Sequence, residues 1–247
     1  MPTIPVIVQA RMSSTRLPGK VMKPFSGKTF LEHNLDRCAQ ITGASEVIVA
    51  TTDRPDCNDL AEMAKQRGYR VHRGSQEDVL GRYLGAAREV GADAVMRITS
   101  DCPLIDPRVG AEVLTRFLEG QHDLVATNIP PSWPNGMDVE VISMKALEEA
   151  GAQSVLSTER EHVSTYIRRR PMRYRLGNMA CPMEGVVHWR LTLDTQADHD
   201  FFQALASRYS GNIEEAGWNE LFAFLTAHPD LLNINSEETI HLSNPHA

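Results

Sequence analysis

Residues 4–20 read Ile4-Pro5-Val6-Ile7-Val8-Gln9-Ala10-Arg11-Met12-Ser13-Ser14-Thr15-Arg16-Leu17-Pro18-Gly19-Lys20. The first six are short, apolar and β-branched, the pattern of a strand buried on both faces. A loop rich in Ser, Arg, Pro and Gly follows, to about Gly27. Outward from this stretch, strand and helix alternate. Thr29 and Glu32 form a capping box for a helix carrying Leu31, Leu35 and Cys38 on one face. Residues 46–52 predict a second strand, 55–67 a helix stopped by Gly68, and 69–73 a third strand. Asp78 caps the next helix. A strand over 93–99 then runs into Ser100-Asp101, and Asp106-Pro107 supplies a cap and first-turn proline for a helix through Leu118. With a further strand over 123–127, the rhythm predicts an α/β fold: a mostly parallel twisted sheet with helices on both faces.

Beyond this point the rhythm breaks. Residues 128–142 are Pro-rich and extended, 158–169 read as helical, and 171–178 and 186–194 read as strands. Helices at about 197–208 and 217–226 close the chain. No internal repeat or linker is visible, so 1–247 reads as one domain with an inserted lid or dimerisation segment at about 129–185.

The 247 residues are 42% hydrophobic and 23% charged, which excludes a disordered chain. A formal net charge of −7 argues against nucleic acid or an anionic membrane as partner. The first 31 residues run the other way: Arg11, Arg16, Lys20, Lys23 and Lys28 occur there without one acid, which points to a small anionic ligand. The four cysteines form no C-x-x-C pair and no zinc-finger spacing with His, so they read as reduced thiols. No targeting pattern opens the chain, and no segment approaches the roughly 20 apolar residues of a membrane span. A soluble, cytoplasmic protein is expected.

In open α/β sheets, ligands bind beyond the carboxyl ends of the strands. The 9–20 loop there offers N–H groups, hydroxyls and Arg11, Arg16 and Lys20, the groups that hold a triphosphate. The bland reading is a solvated loop whose cations face water. Gly27-Lys28-Thr29 is no P-loop, because Met22 stands where its first glycine belongs, and no G-x-G-x-x-G follows the first strand. Asp101 ends an apolar strand and can hold Mg²⁺ against substrate phosphates, or simply form a turn. Asp194 ends the 186–194 run in the same way, whereas Asp198 and Asp200 suit the following helix's dipole. Asp138 and Glu140, spaced to share one strand face, and Arg160-Glu161 can hydrogen-bond a polyol or make salt bridges. Neither H-E-x-x-H nor G-x-S-x-G occurs.

Together, Q-A-R-M-S-S-T-R-L-P-G-K at 9–20, V-A-T-T-D at 49–53, R-G-S-Q-E-D-V-L at 73–80, R-I-T-S-D-C-P-L-I-D at 97–106, R-E-H-V at 160–163 and L-T-L-D-T at 191–195 resemble the cytidylyltransferases that activate acidic sugars. The resemblance runs over about 4–205. It is closest to the spore-coat-polysaccharide branch (SpsF-type) and more distant to the CMP-KDO and CMP-sialate synthetases. It implies a nucleotidyltransferase fold of the glycosyltransferase-A type, Mg²⁺ dependence, and transfer of CMP from CTP to a sugar with release of pyrophosphate. It also implies a homodimer. By resemblance, Arg11 and Lys20 act in catalysis with Asp101, while Ala10, Arg11, Arg16 and Lys20 meet the nucleotide. Arg73, Ser75 and Asp78 fall in the family's second nucleotide-side segment, and Asp101 and Asp194 become the metal carboxylates. Asp138, Glu140, Arg160 and Glu161 are expected on the sugar side, although the KDO enzymes' sugar-acid pocket is not visible residue by residue in 129–185. Two rivals stand beside this reading. A glycosyltransferase should carry an Asp-x-Asp motif that Ser100-Asp101-Cys102 lacks, and a non-catalytic nucleotide-binding protein would tolerate loss of the carboxylates.

Overall fold

The computed structural model describes residues 2–238. Strand β1 (Val6–Gln9) is followed by a short hairpin of β2 (Pro24–Phe25) and β3 (Lys28–Thr29), then helix α1 (Phe30–Cys38). Next come β4 (Val47–Thr52), α2 (Asn58–Gln66), β5 (Arg70–Gly74), α3 (Val79–Glu89), β6 (Ala94–Thr99) and α4 (Pro107–Glu119). The chain continues through β7 (Leu124–Ala126), β8 (Glu140–Ser143), α5 (Met144–Gln153), α6 (Ser157–Glu161), α7 (Thr165–Arg168) and β9 (Leu176–Asn178). It ends with α8 (Gln196–Arg208), α9 (Trp218–Ala227) and α10 (Pro229–Leu232).

Seven strands form one sheet in the order β5-β4-β1-β6-β8-β7-β9. Strands β5, β4, β1 and β6 are mutually parallel, with Val6 opposite both Val47 and Met96. Strand β8 alone runs against its neighbours β6 and β7, and β9 is again parallel to β7. In β1, Val6 and Val8 enter a core built with α1, α2, α4, α8 and α9. Ile7 enters a second core on the opposite face, built with α3, α5 and α7. Period-two alternation with apolar side chains at Val6, Ile7 and Val8 makes β1 the spine of both cores, and each such side chain contributes roughly 1.5–3 kcal/mol when fully buried.

The caps read from the sequence are present. Thr29 and Glu32 form the reciprocal capping box of α1, Asp78 accepts from Gly81 N–H at the start of α3, and Asp106 accepts from Arg108 N–H ahead of Pro107.

Three differences from the sequence reading concern the second half. The segment 129–185 does not stand apart as a lid, because it supplies β8 and β9 to the central sheet and α5 to its packing. Residues 186–194 lie in no ladder and make only an isolated bridge, Asn135 to Arg190. Within 171–178, only Leu176–Asn178 pairs as a strand. The chain leaves β1 towards β4 on one side and leaves β6 towards β7 on the other. A crevice therefore opens beyond the carboxyl ends of β1 and β6, where such a switch in direction leaves room for a ligand.

Candidate active site

A cleft of about 240 Å³ occupies that crevice. Its walls include Gln9, Ala10 and Arg11 after β1, Ser13 to Arg16 and Lys20 from the basic loop, Thr99 to Asp101 after β6, and Asp194. The loop is folded back on itself: Ser14 and Gly19 N–H both donate to the Met12 carbonyl, at 3.0 and 3.1 Å. Gly19, at φ 65°, then takes the left-handed turn that directs Lys20 inward.

Lys20 joins the two aspartates. Its Nζ donates to Asp101 Oδ2 at 3.0 Å and to Asp194 Oδ1 at 2.8 Å, so carboxylates far apart in sequence converge on one point. Burial works against the ammonium, but the charges of Asp101 and Asp194 outweigh it and hold the Lys20 pKa above its ordinary value. Burial likewise opposes charge on Asp101, and Lys20 together with the Thr99 hydroxyl keeps its carboxyl below the usual range. Arg16 approaches Asp194 Oδ2 at 3.3 Å from the open side.

The two aspartates are also joined through their backbones. Leu193 N–H and the Thr192 hydroxyl donate to the Asp101 carbonyl, at 2.8 and 3.2 Å. Asn34 of α1 pins the turn from beneath, donating to the carbonyls of Thr99 (3.2 Å) and Cys102 (2.8 Å). Behind Asp194, Arg190 donates to Asp194 at 3.1 Å and to both oxygens of Asp198, at 2.7 and 2.9 Å. Asp198 is wholly buried. Against that burial, Arg190, Asn235 and the Asp194 N–H keep its carboxyl low.

Two carboxylates meeting at one cation form a donor set that suits a hard divalent ion, which fills the rest of its shell with water and phosphate oxygens. Asp101 and Asp194 thus fit such an ion. Among the described residues, no group of three or more His, Cys, Asp and Glu side chains converges for a metal.

The other residues expected from sequence divide into two groups. Ala10, Arg11 and Arg16 line the cleft, and Arg11 also lies 3.5 Å from Glu161 on the exposed rim. Arg73, Ser75 and Asp78 are not among its walls. Arg73 instead holds the turn after β4 through Thr52 O, Arg54 O and Asn58, at 2.8–2.9 Å. Ser75 Oγ accepts from Glu77 N–H, and Asp78 is clamped by both ends of the Arg160 guanidinium. Glu140 is buried between Arg97 (3.3 Å) and Arg168 (2.5 Å), and it accepts from Ser164 at 3.1 Å. Burial opposes its charge, and the two guanidiniums hold it ionised.

Arg82 was not singled out by sequence. It lines the cleft from α3, 2% exposed, with its Nη1 on the carbonyls of Ser75 and Gln76 and its Nε without a partner. A lone arginine inside a helix carries no local signal of such burial. Arg190, which lies in the 186–194 run with no local signal of a role, is the missed support of Asp194.

A mostly parallel sheet with a basic loop and two convergent aspartates at its switch point defines a protein of the nucleotidyltransferase-like class. Residues 5–215 match the family model described as cytidylyltransferase, and the chain belongs to that family. It is 31% identical over 231 residues to the spore coat polysaccharide biosynthesis protein SpsF of Bacillus subtilis, covering 91% of this chain and 94% of that one. Among solved structures, a cytidylyltransferase from Leptospira borgpetersenii superposes with a TM-score of 0.89 at 29% identity, over 98% of this chain and 100% of the other. A CMP:2-keto-3-deoxy-manno-octonic acid synthetase complexed with CTP shares the fold, with a TM-score of 0.64 at 18% identity over 83% of this chain and 99% of that one.

Proposed function

We propose that the protein transfers CMP from CTP to a hydroxyl of an acidic sugar, releasing pyrophosphate, in the synthesis of a polysaccharide or surface-glycan precursor. One observation carries the reading: the Lys20 ammonium sits between Asp101 and Asp194 in a cleft walled by Arg11 and Arg16. The family, the polysaccharide role printed for SpsF and the acidic sugar in the name of the CTP-complexed synthetase support it.

In this reading the hydroxyl oxygen attacks the α-phosphorus of CTP, and the bond from that phosphorus to the bridging oxygen of pyrophosphate breaks. Lys20, Arg11 and Arg16 bind the triphosphate and offset the charge that gathers on the departing pyrophosphate. The backbone at Ala10 borders the nucleotide. Asp101 and Asp194 would hold Mg²⁺, which supplies charge neutralisation at the α-phosphoryl and makes the attacking hydroxyl more acidic. Ser75 and Asp78 shape the wall behind the nucleotide through Arg82 and the α3 cap, and Arg73 steadies the neighbouring turn after β4. On the sugar side Asp138 and Glu161 would meet the acceptor, whereas Glu140 is held by Arg97 and Arg168 and Arg160 by Asp78, so that these two support the segment. The protein works in the cytoplasm as a homodimer, and its four unpaired cysteines suit a reducing compartment.

Pyrophosphate release with each nucleoside triphosphate, with and without Mg²⁺, over a panel of 2-keto-3-deoxy sugar acids and sugar phosphates, tests the proposal. The expected result is release from CTP only, dependent on an acidic sugar, and lowered about 10²–10³-fold by Asp101→Ala with folding retained. Binding of CTP without turnover across the panel, or a fully active Asp101→Ala, overturns it.

A further inference from the structure

Arg82 differs from the other cations that line the cleft. Arg11 is paired with Glu161, Arg16 with Asp194, and Lys20 with both Asp101 and Asp194. Arg82 lines the same cleft from α3, almost wholly buried, and among the described residues it makes no ion pair. The charge of Asp78 reaches it, but the Asp78 oxygens are engaged by the Arg160 guanidinium and the Gly81 N–H.

The guanidinium has two usable edges, and one of them is occupied. Its Nη1 donates to the carbonyl of Ser75 and, at 3.1 Å, to that of Gln76. The other edge carries the Nε–H and the Nη2 N–H beside it, and neither meets an acceptor among the described residues. Two such parallel donors match two oxygens of one phosphate or carboxylate. Securing the 75–76 turn needs only the Nη1 edge, whereas a buried cation is unfavourable until a counter-charge meets it. Burial, with the charge of Arg11 acting in the same direction, holds the Arg82 pKa below its ordinary value.

The position of Arg82 favours the nucleotide over the sugar. Ser75 and Gln76 follow β5, which lies beyond β4 on one side of β1, while Asp101 follows β6 on the other. Gly74, the last residue of β5, lies against the Arg82 side chain, where a Cβ would stand 3.2 Å from Cγ. The Ser13 hydroxyl donates to the Gln76 side-chain oxygen at 3.4 Å, so the basic loop reaches the turn that Arg82 holds. Arg82 thus stands where the loop bearing Arg11 and Arg16 meets the β5–α3 turn.

We propose that Arg82 is a further nucleotide-binding residue, which clamps one phosphate of the triphosphate through Nε and Nη2 while Nη1 keeps the 75–76 turn in place. The assignment rests on the CMP-transfer reading for the identity of the nucleotide. The bound phosphate supplies the counter-charge that the chain itself does not, and it ties the basic loop to the start of α3.

The experiment titrates the native chain, Arg82→Met and Arg82→Lys at fixed Mg²⁺ with three probes. CTP and inorganic tripolyphosphate are followed by calorimetry, and cytidine by nuclear magnetic resonance. Arg82→Met is expected to weaken CTP and tripolyphosphate by the same factor, roughly 10–100-fold, with cytidine within about twofold of native. Arg82→Lys keeps the charge without the fork and should recover only part of either affinity. Tripolyphosphate binding within about twofold of native in Arg82→Met overturns the clamp, and so does an equal loss for cytidine, which a structural or base-reading role would give. Native CTP affinity with a raised KM for 3-deoxy-manno-octulosonate also overturns it, since the fork would then serve the sugar's carboxylate. Where Arg82→Met does not fold, Arg82→Lys decides, and native affinity for tripolyphosphate in that variant removes the fork. A native chain that binds CTP in an Arg82-dependent way yet releases no pyrophosphate would overturn the CMP-transfer reading and leave the clamp standing.

Discussion

Lys20 neutralises Asp101 and Asp194 at 3.0 and 2.8 Å; in the proposed reaction a divalent ion would take over the two carboxylates and the ammonium would turn to the phosphates. Lys20→Met is therefore expected to tighten binding of Mn²⁺ alone, read by electron paramagnetic resonance, while weakening CTP binding roughly 10-fold or more. Equal weakening of both would show that Lys20 only supports the fold. The sequence marks these residues well, because an acid-free basic loop after a buried strand and carboxylates at the ends of apolar runs are local patterns. Arg82 and Arg190 were illegible for a matching reason: their importance comes from burial against groups distant in the chain. Arg190 reaches Asn235, whose amide donates to the Arg190 carbonyl at 3.0 Å, and nothing in residues 186–194 points to that partner.

At the scale of elements, parallel strands flanked by caps were legible because their hydrogen bonding and apolar periodicity are set within a few residues. The antiparallel β8 was not. Its neighbours β6 and β7 precede it in the chain, and its partner choice depends on a long connection that the 128–142 composition shows only as extended. Residues 186–194 carry β-branched and apolar side chains yet gain no ladder, since their backbone is committed to Asn135 and to the Asp101 carbonyl. The helix α5 was passed over altogether, although Ser143 caps it. The contribution of α1 to the site is likewise a tertiary one: Asn34 is wholly buried and its amide spans two carbonyls of the Asp101 turn. Removing that donor takes one hydrogen bond from each carbonyl and leaves them only the N–H groups of Cys102 and Ile105, at a cost of about 1–3 kcal/mol in all. Asn34→Ala is thus expected to lower the urea midpoint accordingly and to reduce kcat as well, with the KM for CTP little changed. An Asn34→Ala protein of native kcat would separate the turn's anchoring from its chemistry.

The whole molecule binds its less regular half to the sheet by buried charge. Arg168 of α7 meets Glu140 of β8 and Asn128 beyond β7, and Arg160 of α6 grips the cap of α3. The same half also presents apolar side chains to the outside: Val155 is 88% exposed, Leu156 50% and Met172 fully exposed. Exposed apolar side chains at these positions offer a surface that a second copy of the chain would cover in the homodimer proposed above. The chain mass is 27.5 kDa, and light scattering of the native protein is expected to give about twice that value. Val155→Asp with Leu156→Asp places two like charges on each side of an isologous contact, so the doubled mass should fall to that of the monomer. Because both positions are exposed within one chain, the monomer's intrinsic fold should change by no more than about 0.5 kcal/mol per substitution. The paired measurement distinguishes a broken interface from a damaged protein: loss of the doubled mass with a preserved far-ultraviolet spectrum supports the interface at 155–172. A native mass near 27.5 kDa over the assay concentration range removes the dimer, and a doubled mass that survives both charges moves the contact elsewhere on the surface.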